Sequence, residues 1–262
     1  MVNQPKGGRG AFSPSGGPSR AVLLGVLVRC QCWRLTRKGW LLSLVLLLSG
    51  AFGVGRSAHS FLASSGGGSA EVMVVEGWIS ARHLGPVAAA FARGHCRTIL
   101  VVRDITDEDD PYISGRYTAE RIVQELARLG IPASRMEVLF CGLAVRDRTY
   151  HCATVAKQWL AEHGKGVASI DVVTMAVHAR RSRLLYSKAF GDGTRVESIA
   201  IADSSYDASH WWRSSAGVRE VVSELVAYGY ARFFFWPGAA TGDPGASSIL
   251  RAGDAPGRGG AK

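Results

Sequence analysis

His178-Ala179-Arg180-Arg181-Ser182-Arg183 gathers an imidazole and several guanidinium groups at the start of a helical pattern, directly after a β-branched run that ends in Thr174. Positive charge at a helix start opposes the helix dipole, so this placement costs stability unless a bound anion, or acids such as Glu76 and Glu120, compensates it. A second basic helix start is Arg146-Asp147-Arg148-Thr149-Tyr150. Its free N–H groups and arginines suit a phosphate-like group, with capping by Asp147 or Thr149 and surface ion pairs as the alternative. Glu76-Gly77-Trp78 supplies an acid, a turn glycine and an aromatic ring at the end of another strand pattern; there the acid either meets a ligand or caps the next helix. The residue types therefore point to an anion pocket. Arg148, Thr149, Thr174, Arg180, Arg181 and Arg213 would hold the anion beside Gly77, Trp78 and Asp104, and Glu76, Glu120 and His178 would be the proton-transfer groups.

Several chemistries lack their residues. No glycine-rich dinucleotide fingerprint follows the first strand, and no P-loop, G-x-S-x-G elbow or H-E-x-x-H helix occurs. No metal is expected: the five cysteines form no C-x-x-C pair, and the acidic loop Asp107 to Asp110 has nothing to fix a ligand geometry. Cys96, Cys141 and Cys152 are expected as small buried apolar residues, with at most one disulfide among them if the domain is exported. No cofactor is named by the residues. Whether the chain catalyses a reaction stays open.

The elements that would position these groups follow from hydrophobic period. Glu71 to Glu76, Thr98 to Arg103, Met136 to Phe140, Ser169 to Met175 and Val196 to Ala202 are β-rich runs. Between them, Leu84/Val87/Ala88/Phe91, Ala119/Ile122/Val123/Leu126 and Cys152/Ala156/Trp159/Leu160 each give one apolar helical face, and Val218/Val221/Val222/Leu225 begins a last helix. Such alternation predicts an α/β, Rossmann-like three-layer sandwich with a mostly parallel sheet of about five strands. Ligands of such sheets bind beyond the carboxyl ends of the strands, where all three motifs fall.

The net charge of +10 is concentrated ahead of this domain: residues 1–56 carry eight Lys/Arg and no acid, and the remaining 23 basic residues face 21 acidic ones. A nearly neutral domain behind a basic leader argues against nucleic-acid binding and for membrane topology. We divide the chain into a basic disordered leader (1–38), a transmembrane helix or export signal (39–56), a linker (57–70), the α/β domain (71–236) and a tail (237–262). The positive-inside rule predicts the N-terminus in the cytoplasm and the domain on the periplasmic or extracytoplasmic side of the inner membrane. Trp211 and Trp212 would cover the site, pack, or lie against the bilayer or a protein partner.

With these segments in order, the chain resembles the bacterial YdcF/SanA/ElyC family over about residues 70 to 236. Val74-Val75-Glu76-Gly77-Trp78 stands where that family has its first glycine-rich turn. Arg148-Thr149-Tyr150-His151-Cys152-Ala153 matches its N-T-x-E-N-A motif at Thr149 and Ala153. Val173-Thr174-Met175-Ala176-Val177-His178-Ala179-Arg180-Arg181-Ser182 matches V-T-S-x-x-H-x-x-R-A at His178 and Arg181, and Thr118-Ala119-Glu120 corresponds loosely to S-E-A. The resemblance implies an envelope protein linked to peptidoglycan or exopolysaccharide metabolism. The expected ligand is an anionic small molecule, a phosphorylated glycan or a lipid-linked precursor. S-adenosylmethionine or nucleotide binding, or a non-catalytic scaffold for envelope protein partners, are the alternatives.

Overall fold

The computed structural model describes residues 21–22, 27–29, 33–93, 95–103, 119–141, 146–164 and 166–237. They divide into two units, Met1–Val54 and Gly55–Lys262. In the first, β1 (Ala21–Val22), β2 (Leu27–Arg29) and β3 (Trp33–Leu35) form a short antiparallel meander. The Thr36 hydroxyl then accepts from the Gly39 N–H at 3.0 Å and opens helix α1 (Arg37–Leu62). From Trp40 to Val54 its large apolar side chains are exposed, and among the described residues it is the one helix long and apolar enough to cross a membrane.

The second unit is an α/β domain with a five-stranded, all-parallel sheet in the order β6-β5-β4-β7-β8. The strands are β4 (Val72–Glu76), β5 (Thr98–Arg103), β6 (Met136–Phe140), β7 (Ser169–Met175) and β8 (Arg195–Ile201). The helices are α2 (Gly85–Ala92), α3 (Ala119–Arg128), α4 (Arg148–Glu162), α5 (Ala179–Phe190) and α6 (Ser215–Phe233). Because alternate strand residues point to opposite faces, β4 serves two cores at once. Val72 and Val74 join Ala153, Trp159 and Tyr186 on the α4/α5 side, while Met73 and Val75 join Leu84, Ile122 and Leu126 on the α2/α3 side. The strand order reverses direction between β4 and β7, and the crevice at their carboxyl ends is the natural ligand position in such a sheet.

Residues 57–70 are not the spacer that their composition predicts. Ala58 and Leu62, still in α1, are buried with Val177, Tyr206, Trp211 and Val221. Gly66 and Gly67 then both donate to the Ser198 carbonyl at 3.0 Å, and the buried Asp171 carboxylate accepts from Gly68 at 2.7 Å and Ala70 at 3.0 Å. The triple glycine is a strap along β8 because polar partners on β7 and β8 satisfy its backbone.

All three domain cysteines are buried, and they take the alternative of one disulfide and one leftover thiol: Cys141, just after β6, bonds Cys152, in α4, and Cys96 is a free buried thiol. Both bonded residues sit in the same apolar core, which brings strand end and helix into reach of each other.

Candidate functional site

A cavity of about 690 Å³ opens at the carboxyl edge of the sheet where β4 meets β7. Its floor begins with Glu76, the last residue of β4. Gly77 permits the next step: its N–H donates to the Val102 carbonyl at 2.7 Å, and a Cβ there would lie 2.7 Å from the same oxygen. This close approach folds Trp78 back so that its indole N–H donates to Glu76 Oε2 at 3.0 Å, while its ring meets the His178 imidazole edge-on at 4.8 Å. Glu76 is buried and accepts two more hydrogen bonds, from the Thr174 hydroxyl at 2.5 Å and the Ser182 hydroxyl at 2.8 Å. Three donors hold its carboxylate as part of the scaffold.

The second carboxylate comes from α6. Glu224 is buried and takes a two-pronged contact from Arg181, Nε to Oε2 at 2.7 Å and Nη2 to Oε1 at 2.9 Å. His178 Nδ1 lies 2.9 Å from the same Oε1, and its Nε2 is 3.6 Å from Glu220 Oε2. Arg181 Nη1 also reaches the Thr149 hydroxyl at 3.5 Å. Burial acts to raise the Glu224 carboxyl, but hydrogen bonds and charges from His178 and Arg181 outweigh it and hold the group down at about 2. For His178 burial is the largest influence and disfavours the imidazolium; Glu224 and Glu76 overcome it and the net shift is upward. The basic start of α5 is thus compensated from inside the protein, by a helix far along the chain.

Further polar groups line the cavity. Arg103 closes β5, and Arg148 and Thr149 form the first turn of α4. Asp147 occupies the position before that turn with φ of +52°, but its side chain caps nothing. Ala176, between β7 and His178, has φ of +33°. Two non-glycine residues in the left-handed region, both beside the crevice, mark stored backbone strain of the kind that gathers at binding sites. The fully buried Tyr186 of α5 also faces the cavity, and its hydroxyl has no hydrogen-bond partner among the described residues. Burial, with the Glu76 charge, pushes that phenol well above its ordinary pKa, so it remains a neutral donor.

Of the residues expected at the site, Glu76, Gly77, Trp78, Arg148, Thr149, His178 and Arg181 line this cavity together. Three others lie outside the cavity lining. Thr174 is fully buried behind Glu76, which takes its hydroxyl. Arg180 turns away, donating to the Phe61 carbonyl with its guanidinium 4.0 Å over the Phe61 ring. Arg213 lies exposed on the 3-10 segment Ala208–Arg213, outside the cavity lining. Asp104, the acidic loop Asp107 to Asp110 and the Glu120 side chain lie outside the described residues. Glu224 and Tyr186 escaped the sequence analysis because both sit on helical faces that pass for ordinary amphipathic positions. The one available signal for Glu224 was an acid one helical turn after Val221, on the face that should be buried.

No protein-family model matches the chain, and no curated protein matches it.

Proposed function

We propose that this is a membrane-anchored envelope protein whose α/β domain binds an anionic, phosphorylated glycan or lipid-linked precursor in the crevice between β4 and β7. The observation that carries this reading is that the fully buried Tyr186, a residue of the cavity lining, has a hydroxyl with no partner among the described residues. Leaving such a group unpaired costs roughly 1–3 kcal/mol, a cost that a ligand oxygen would remove. Around it the lining is mixed in a way that suits a sugar phosphate. Arg103, Arg148 and the Thr149 hydroxyl at a helix start can take a phosphate group. Asp147 and Glu220 can accept from sugar hydroxyls, and the exposed faces of Trp78 and Tyr230 offer flat apolar surface for a sugar ring. If a reaction follows binding, His178 is the group to move the proton, since its neighbours raise its pKa and it lines the cavity.

The anchor assignment rests on α1 and the charge asymmetry of the leader; the Cys141–Cys152 disulfide supports an oxidising compartment for the domain, hence the extracytoplasmic side. The motif resemblance to the YdcF/SanA/ElyC family supports the envelope role. Calorimetric titration of the detergent-solubilised full chain with a sugar phosphate and with the same sugar lacking phosphate tests the reading. The phosphorylated compound should bind at least about tenfold more tightly, the equivalent of about 1.4 kcal/mol, and Arg148→Ala should erase most of that difference. Equal affinity for both compounds overturns it.

A further inference from the structure

We propose that the 3-10 segment Ala208–Arg213, together with Arg56, is a bilayer-contacting surface that rests on the phospholipid headgroups beside α1, an inference that depends on α1 spanning the membrane. The uncharged stretch from Gly39 to Gly55 gives about 25 Å of helix at about 1.5 Å per residue, against a hydrocarbon core of about 30 Å. A span this short draws its flanking residues into the interface. Four residues after Val54, Ala58 is already buried in the domain core, and the Trp211 indole N–H donates to the carbonyl of Gly55 itself at 3.0 Å. Trp211 is therefore held beside Gly55, the uncharged residue that immediately precedes Arg56.

What surrounds that point has the composition of a membrane interface. Trp212 is 37 % exposed and meets Trp211 edge-on at 5.8 Å. Arg213 follows it and is exposed, and the exposed Arg56 lines a shallow depression together with His59, Ser60, Ala208 and Ser209. Tryptophan settles at headgroup level because its ring is apolar and its N–H polar, and arginine pairs with lipid phosphate. The acid on the same segment, Asp207, is turned to local partners: it accepts from the Ser209 N–H and pairs with His210, both at 2.8 Å. The other exposed aromatic group, Phe233, Phe234 and Trp236, cannot share this surface. Gly217, near the start of α6, packs against the Trp211 carbonyl, and the helix then runs past Tyr228, whose ring meets Phe61, to end about 24 Å further on.

The test is tryptophan quenching of the full chain in phosphatidylcholine/phosphatidylglycerol vesicles carrying bromine near the headgroup end of the acyl chains. Native protein is compared with Trp212→Phe, Trp236→Phe and Trp40→Phe. The expected result is that Trp212→Phe loses a component of bromolipid quenching, that Trp236→Phe loses none, and that Arg56→Gln/Arg213→Gln reduces the Trp212 component. If Trp40→Phe shows that α1 is quenched but Trp212→Phe changes only the signal accessible to aqueous acrylamide, the proposal falls while the anchor stands. If Trp40 too escapes bromolipid quenching, the anchor reading fails and takes the proposal with it.

Discussion

The Glu224 carboxylate receives Arg181 through two hydrogen bonds and His178 through a third contact while almost wholly buried. Removing one member of such a set leaves the others charged and desolvated. Glu224→Gln should therefore lower stability by about 3 kcal/mol, read as a drop in melting temperature. The signs of the two shifts define a pH window. Glu224 is depressed, so its contribution is complete above the ordinary glutamate value of 4.5 and is lost as pH falls toward about 2. His178 is raised, so its contribution is complete below the ordinary histidine value of 6.5 and is lost as pH rises through its elevated value in the folded protein. Melting temperature should peak between those two values and decline on both sides, and Glu224→Gln should flatten both declines. Tyr186→Phe separates packing from binding. Deleting a hydroxyl that has no partner among the described residues should leave the free protein as stable or more so, yet weaken sugar-phosphate binding by roughly twofold to tenfold, the worth of one hydrogen bond. Equal loss of stability and affinity would mean that Tyr186 only packs. His178, Arg181, Glu76 and Arg148 were legible in the sequence because a basic helix start and an acid at a strand end are locally anomalous. Glu224 was not, since its role exists only once α6 lies against α5.

The strands were the most legible elements: the bounds of β5, β6 and β7 coincide with their β-branched runs, β4 starts one residue later than its run, and β8 is shifted by one residue at both ends. Buried parallel strands leave that mark because both faces must be apolar. The strap of residues 64–70 is not legible in the sequence, because its glycines resemble a flexible linker and the tertiary partners Asp171 and Ser198 that order it are distant in sequence. Gly77 is the element-scale requirement with the clearest consequence. A Cβ only 2.7 Å from the Val102 carbonyl must push β4 and β5 apart at the crevice. Gly77→Ala should cost roughly 1–3 kcal/mol and weaken ligand binding as well, since Trp78 would lose its place over His178. The Cys141–Cys152 bond ties the end of β6 to the helix whose first turn presents Arg148 and Thr149. Its removal by Cys141→Ser/Cys152→Ser should cost about 3 kcal/mol and lower affinity more than the melting shift alone accounts for; unchanged affinity would show that α4 is positioned without it.

At the scale of the whole chain, charge and hydropathy divide the sequence more sharply than any motif does, into a basic leader with an apolar helix and a nearly neutral domain. The end of α1 docks on Val177 and Tyr206, beyond the carboxyl ends of β7 and β8, and the cavity opens at that same edge of the sheet. The proposed lipid-linked ligand predicts that a polyprenyl-phosphate-linked sugar binds more tightly than the free sugar phosphate when the full chain is in vesicles, and equally when it is in detergent alone. The central claim, that the crevice between β4 and β7 is an anion site, is tested most directly by thermal shift of the full chain against sugar phosphates, nucleotide sugars, polyprenyl-phosphate analogues and S-adenosylmethionine. A ligand that binds only the folded state raises the melting temperature with the logarithm of its excess over Kd. An anion site there gives a rise with phosphorylated sugars or lipid phosphates that disappears in Arg148→Ala. A rise confined to S-adenosylmethionine, or none with any compound, would contradict it.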